Sequence, residues 1–141
     1  MTGKLTIADY PLAETRSAKI RGQRGKSLDD ITLDAVMAGS ITMEDLRITP
    51  HALGDQAEIA RAANRPTLAL NFERAAELVN VPQDFIMSTY EMLRPGRATS
   101  KQQLLEVANT FRQTYKAERM AIFIEEAAEV YDRRGLYTYR F

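Results

Sequence analysis

There is no cysteine among the 141 residues. That excludes disulfides, thiolate metal sites, iron–sulfur clusters and a cysteine nucleophile, and it suits a reducing compartment. Histidine occurs once, at position 51, so a site built from several imidazoles is excluded too. Net charge is absent as well. The 19 basic side chains cancel the 19 acidic ones, and no global field points to nucleic acid, a membrane surface or an acidic substrate. No apolar run approaches membrane-spanning length, and Met1-Thr2-Gly3-Lys4-Leu5 carries no hydrophobic signal region, so a cytoplasmic protein is expected. No segment alternates apolar and polar residues well enough to be a strand. What is present is one domain's length of chain, 45% apolar, which is enough for a core.

Residues 1–30 show little periodicity, contain Pro11, Gly22 and Gly25, and hold five basic residues between Arg16 and Lys26. They read as an extended, irregular arm. Residues 31–141 read as a helical domain, the whole forming a single structural domain. Thr32 can cap a helix over 33–38 that Gly39 ends, and Thr42 can cap one over 43–46 with Asp45 at its third position. Thr49-Pro50 starts a longer helix whose inward residues are Leu53, Ala57, Ala60 and Ala63. Pro66 would clash inside that helix, so a break is expected near Asn64-Arg65 and a new helix from Pro66 to about Val79. Its apolar face is Leu68, Phe72, Ala75, Ala76 and Val79. Pro82 opens another helix, carrying Phe85, Ile86, Thr89, Tyr90 and Leu93, which Pro95-Gly96 ends.

From Thr99 to Arg134 there is neither proline nor glycine. Thr99 and Gln102 suit a capping box and Gly135 a stop, which predicts one long C-terminal helix of about 50 Å at about 1.5 Å per residue. A compact domain of this size would be under about 40 Å across, so such a helix would overhang it. Leu104, Ala108, Phe111 and Tyr115 lie on one face. Met120, Ile124, Ala127 and Tyr131 form a second face, offset by one position. Between them, residues 120–124 are apolar all round. Two ordinary core helices with a kink would give the same pattern. The overhang favours a helix partly covered by another polypeptide. The expected fold is all-α: an open helical bundle with one long C-terminal helix, an extended N-terminal arm and an aromatic tail of Tyr137, Tyr139 and Phe141.

The parts needed for catalysis are scarce. His51 sits in a first helical turn with no histidine or cysteine nearby, where a structural role is the ordinary one. Glu125, Glu126 and Glu129 form the best carboxylate cluster, but the Glu-x-x-His ligands of helical-bundle metal sites are missing. Glu125 with Glu129, and Arg112 with Lys116, are like-charge pairs one turn apart, which a partner's opposite charges would relieve. Gly22-Gln23-Arg24-Gly25-Lys26-Ser27 ends like a phosphate-binding loop, but its first glycine is too close and no strand precedes it. The basic arm has no interleaved aromatics, none occurring between Tyr10 and Phe72, which argues against nucleic-acid binding.

Taken in order, several blocks are specific together: Asp9-Tyr10-Pro11-Leu12-Ala13, Gly25-Lys26-Ser27-Leu28-Asp29-Asp30-Ile31-Thr32-Leu33, Asp45-Leu46-Arg47-Ile48, and Gln56-Ala57-Glu58-Ile59-Ala60. Asn71-Phe72-Glu73-Arg74-Ala75-Ala76-Glu77-Leu78, Leu93-Arg94-Pro95 and Glu126-Ala127-Ala128-Glu129-Val130-Tyr131 complete the set. From about Asp9 to about Arg134 the chain resembles the small (gamma) subunit of the adenosylcobalamin-dependent diol and glycerol dehydratases.

That resemblance implies a radical lyase that converts glycerol or 1,2-propanediol into an aldehyde and water. It also implies large (alpha), medium (beta) and small subunits, arranged as a dimer of heterotrimers. In such enzymes the large subunit holds substrate and catalytic residues, and adenosylcobalamin, with its cobalt, is bound by the partner subunits and not by the small one. The resemblance thus implies no catalytic, cofactor-binding or metal residue in this chain. The implied role is to pack on and stabilise the large subunit, with Tyr10, Leu12, Ile31, Leu33, Phe123, Tyr131 and Tyr137 expected at the interface. Some relatives carry an N-terminal extension tied to bacterial microcompartments. Here the first block begins at Asp9, so any encapsulation is expected to be directed by partner subunits. The alternative is a self-associating helical scaffold with no enzymatic role, using the long helix as a coiled coil. The offset at Tyr115–Met120 breaks the heptad register that reading needs.

Overall fold

Threonine and proline set most of the helix starts. In the computed structural model, which describes residues 3–138, the Thr32 hydroxyl accepts the Ala35 N–H at 3.1 Å and begins α2 (Leu33–Met37). The Thr42 N–H donates to Asp45 at 2.9 Å in a capping box that begins α3 (Met43–Leu46). Thr49 caps α4 (Pro50–Ala62), which has proline in its first turn. A left-handed Asn64 ends that helix and Pro66 starts α5 (Pro66–Leu78). The expectation of an all-α chain holds. Among the described residues the only β pairing is an isolated bridge between Arg21 and Ser27. Tyr139 and Phe141 of the expected aromatic tail lie outside the described residues.

By its internal packing the chain divides into two units, one running to Val79 and one from Asn80. In the first, α4 packs on α5 through Ala57, Ala60 and Ala69, with Leu68 and Phe72 against them. Ala63, expected to face inward, is exposed, because it already belongs to the turn that ends α4. The N-terminal segment runs through a single turn at Ile7–Asp9, α1 (Leu12–Thr15) and a second turn at Ser17–Lys19. Leu5 and Leu12 bury themselves against Ile59 of α4, with Ile20 alongside, and the Leu5 N–H donates to the Glu58 carboxylate at 3.1 Å.

The second unit contains α6 (Gln83–Met92), α7 (Lys101–Tyr115) and α8 (Glu118–Arg134). The single long helix expected over 99–134 is therefore two helices. Lys116 adopts the left-handed conformation at φ 55°, and the Ala117 N–H turns back to the Phe111 carbonyl at 2.9 Å. The helices run antiparallel: Lys101 at the start of α7 pairs with Glu129 near the end of α8 at 2.5 Å, and Arg112 with Glu118 at 2.8 Å. Closing the hairpin fully buries Leu104, Ala108 and Phe111 of α7 with Ala121, Ile124 and Ala128 of α8. At about 25 cal/mol per Å² of apolar surface, that burial outweighs the roughly 1–2 kcal/mol that an L-residue incurs in the left-handed region. The turn also explains the one-position offset between the two apolar faces, and it removes the overhang. Ser100, not Thr99, caps α7, its hydroxyl accepting the Gln103 N–H at 3.2 Å. Gly135 ends α8 in the left-handed conformation, as its position predicts. Phe85 of α6 packs on Phe111 and Tyr115, with ring centroids 4.9 and 5.4 Å away, whereas Tyr90 of the same helix is exposed.

Candidate docking surface

Residues 28–48 form two helices too short to bury their own apolar side chains. α2 and α3 have five and four residues. Only Ile41 and Asp45 in this stretch are buried. Leu33, Met37 and Met43 are 76%, 79% and 75% exposed, and Leu28, Val36, Leu46 and Ile48 are exposed with them. An unpartnered segment this apolar is the mark of a surface that another molecule covers.

The stretch is nonetheless firmly held. The Arg24 guanidinium donates Nε to Asp45 Oδ1 at 2.9 Å, pairs through Nη2 with Oδ2 of the same carboxylate, and reaches the Ser40 carbonyl at 3.0 Å. Asp45 is fully buried at its side chain. The Arg24 hydrogen bonds, followed by the Thr42 N–H, bring its pKa from the ordinary 3.8 down to about 2. Gln23 Nε2 donates to the Ile48 carbonyl at 3.2 Å. The turn that delivers Arg24 is the Gly22–Ser27 segment, closed by Gly22 N–H to Lys26 O at 2.9 Å. A Cβ on Gly22 would stand 2.9 Å from the Asp45 carbonyl oxygen, so glycine is needed for this close approach.

Charge around the face is mostly acidic. Residues 28–48 contain five acidic side chains and one basic one, the exposed Arg47. Asp45 is answered by Arg24, and Asp30 accepts the Ser27 N–H at 2.8 Å. Asp29, Asp34 and Glu44 are exposed.

Of the residues expected at an interface, Leu33 lies on this face and Ile31, half-buried, at its edge. Tyr10 is 62% exposed at the turn before α1, while Leu12 is buried in the core with Leu5 and Ile59. The others are in the second unit. Phe123 is partly exposed on α8. Tyr131 donates its hydroxyl to the Leu93 carbonyl, and Tyr137 donates to the Ala128 carbonyl at 2.6 Å, their rings 6.4 Å apart. Sequence reasoning missed Val36, Met37, Met43, Leu46 and Ile48. Their signal was present: six apolar residues in two helices of five and four residues cannot all face inward.

The like-charge pairs on the C-terminal helices do not wait for a partner. Arg112 grips Glu125 with two hydrogen bonds of 2.6 and 2.9 Å and also reaches Glu118, and Lys101 answers Glu129. Arg112 accordingly holds the Glu125 carboxyl below the usual range. Antiparallel pairing of α7 and α8 sets opposite charges side by side, which the spacing along one helix does not reveal.

His51 is exposed, 3.5 Å from Asp55, beside a cleft of about 190 Å³ that Lys4, Arg16 and Glu58 also line. That cleft is far smaller than a corrinoid and offers mixed charges instead of an apolar cradle. Among the described residues no three histidine, aspartate or glutamate side chains stand close enough to hold a metal ion. Among them, too, no helix is long and apolar enough to cross a membrane.

Residues 5–137 match the protein family described as "Dehydratase small subunit". The chain is 46% identical over 128 residues to the propanediol dehydratase small subunit of Citrobacter freundii, which covers 91% of this chain and 74% of the relative. It is 45% identical over 128 residues to the propanediol dehydratase small subunit of Salmonella typhimurium (strain LT2), covering 91% and 73% respectively.

Proposed function

This chain belongs to the dehydratase small-subunit family, and from that premise we propose that it serves an adenosylcobalamin-dependent diol dehydratase as a subunit without catalytic residues. The observation that carries the reading is identity of 45–46% to propanediol dehydratase small subunits across 91% of the chain. The enzyme eliminates water from 1,2-propanediol or glycerol to leave the aldehyde. Substrate and cofactor are held by the large and medium subunits in a dimer of heterotrimers. The chain's own task is to pack on the large subunit and stabilise it. Exposed Tyr10, Leu33 and Phe123 support that task, with Ile31, Tyr131 and Tyr137 at the margins and Leu12 acting from below by fixing the N-terminal segment on α4. The holoenzyme is cytoplasmic, and partner subunits direct any packaging in a microcompartment.

Co-expression with the large and medium dehydratase subunits tests this. Aldehyde formation from 1,2-propanediol and glycerol is assayed with and without the chain. The expected result is co-purification and activity that falls when the chain is omitted. Activity and assembly that ignore the chain would overturn the proposal.

A further inference from the structure

We propose that residues 28–48 open and close as a unit of their own on the rest of the N-terminal unit, and that the Arg24 guanidinium is the latch that holds them shut.

Little else holds the segment. Ile41 is its only buried apolar side chain, and neither α2 nor α3 packs along another helix as α4 does on α5. Its backbone bonds close on themselves. The Ala38 N–H donates to the Asp34 carbonyl, those of Ser40 and Ile41 to Ala35, and that of Asp45 to Thr42. Among the described residues, the hydrogen bonds that tie α2 and α3 to the rest of the chain all come from Gln23 and Arg24. Leu28 at the start of the segment and Thr49 just past its end line one cleft of about 260 Å³ with Ile20, so the excursion begins and ends in one place. A stretch with few apolar contacts and self-contained backbone bonding opens at lower free energy than the core beside it.

Arg24 is placed to hold both helices at once. Its Nη2 reaches the Ser40 carbonyl between them at 3.0 Å, and its Nε reaches Asp45 of α3 at 2.9 Å. The Asp45 side chain is fully buried, whereas that of Arg24 is 41% exposed, so solvent reaches the latch from the arginine side. Withdrawal of the guanidinium strands a buried carboxylate, which opening of the segment hydrates. While the latch is seated, the apolar face of Leu33, Met37 and Met43 is held in one arrangement. Arg24 is thereby a positioning residue for that face without being part of it.

Native-state hydrogen exchange on the full chain at low urea concentrations tests both halves of the proposal. In the wild type, the amides of Ala38, Ser40, Ile41 and Asp45 are expected to share one opening. Its urea dependence should be smaller than that of the α4 and α5 amides, because less surface is exposed. Arg24→Met is expected to speed exchange at the same amides by about tenfold or more and to leave α4 and α5 unchanged. Asp45→Asn alone is expected to speed it too. Added to Arg24→Met, Asp45→Asn is expected to slow it, because the stranded charge is gone. That reversal of sign separates a latch from a residue that merely packs.

Unrelated openings at these amides, or a urea dependence equal to that of α4 and α5, would overturn the separate unit. So would a chain that Arg24→Met unfolds throughout, seen in far-UV circular dichroism. Exchange unmoved by Arg24→Met, or Asp45→Asn effects of the same sign in both backgrounds, would overturn the latch. All of this is read in the chain alone, so its failure leaves the dehydratase-subunit reading standing, and failed assembly with the other subunits leaves the latch standing.

Discussion

Asp45 does two jobs with one carboxylate: it closes the capping box of α3 and it receives Arg24 from the turn after Arg21. Buried carboxylates are tolerable only when so answered. Its pKa, lowered to about 2, fixes the sign of a pH effect. The folded state holds the proton more weakly than the unfolded chain, so Asp45 contributes stability that is complete above the unfolded value near 3.8 and is lost as pH falls through about 2. Asp45→Asn is expected to lower the melting temperature at pH 7, with the gap from wild type closing between about pH 4 and pH 2. A gap that is constant across that window would mean the ion pair is not what Asp45 supplies. Gly22 belongs to the same contact. Gly22→Ala is expected to push the turn off the Asp45 backbone and destabilise the α2–α3 region, read as faster hydrogen exchange at Ser40–Asp45 than at the α4–α5 pair. Phe111, fully buried beneath Phe85, is the corresponding residue of the second unit. Phe111→Ala is expected to cost about 3–5 kcal/mol in chemical denaturation.

Between α7 and α8 the decisive feature is a lysine in a conformation usually left to glycine. Lys116→Gly removes the strain of φ 55° at some cost in chain entropy, and is expected to raise stability by up to about 1 kcal/mol. Ala121→Leu, at a fully buried hairpin position, is expected to lower it by about 1–3 kcal/mol, because the helices approach through alanines and have no room for a larger side chain. Equilibrium unfolding in urea checks both. These elements also show which parts of the fold a sequence reveals. Thr32, Thr42, Thr49-Pro50, Pro66 and Gly135 marked helix ends because capping is local chemistry, complete within about four residues. The break at Lys116 carries no such residue. It exists because α8 gains a partner in α7, which is tertiary, and its only trace was the one-position slip between two apolar faces. The acidic pair Glu125 and Glu129 of α8 was misleading for the same reason, its counter-charges Arg112 and Lys101 lying on the antiparallel neighbour. On the α2–α3 face, Ile31 and Leu33 stood out beside the Thr32 cap, whereas Met37 and Met43 were passed over, because their signal lies in the shortness of the two helices and not in apolar spacing.

The described residues combine small apolar cores with exposed apolar side chains, which cluster at 28–48 and are scattered elsewhere, as at Tyr10, Met87 and Tyr90. With no net charge, the full chain has little electrostatic protection against self-association, and the local acidic surplus on the α2–α3 face falls where the exposed apolar residues are. Function and folding are then coupled through mass action. A partner that binds only the folded chain adds RT ln(1 + [partner]/Kd), about 2.7 kcal/mol at a hundredfold excess over the dissociation constant. The chain is therefore expected to bind a hydrophobic dye when isolated and to lose that binding on adding the large subunit. Its melting temperature, followed by a label on this chain, should rise with large-subunit concentration. Met37→Asp with Met43→Asp should bind less dye and show no such rise. A melting temperature indifferent to the partner would mean that the folded and unfolded chains are met equally, and that the exposed methionines serve something other than assembly.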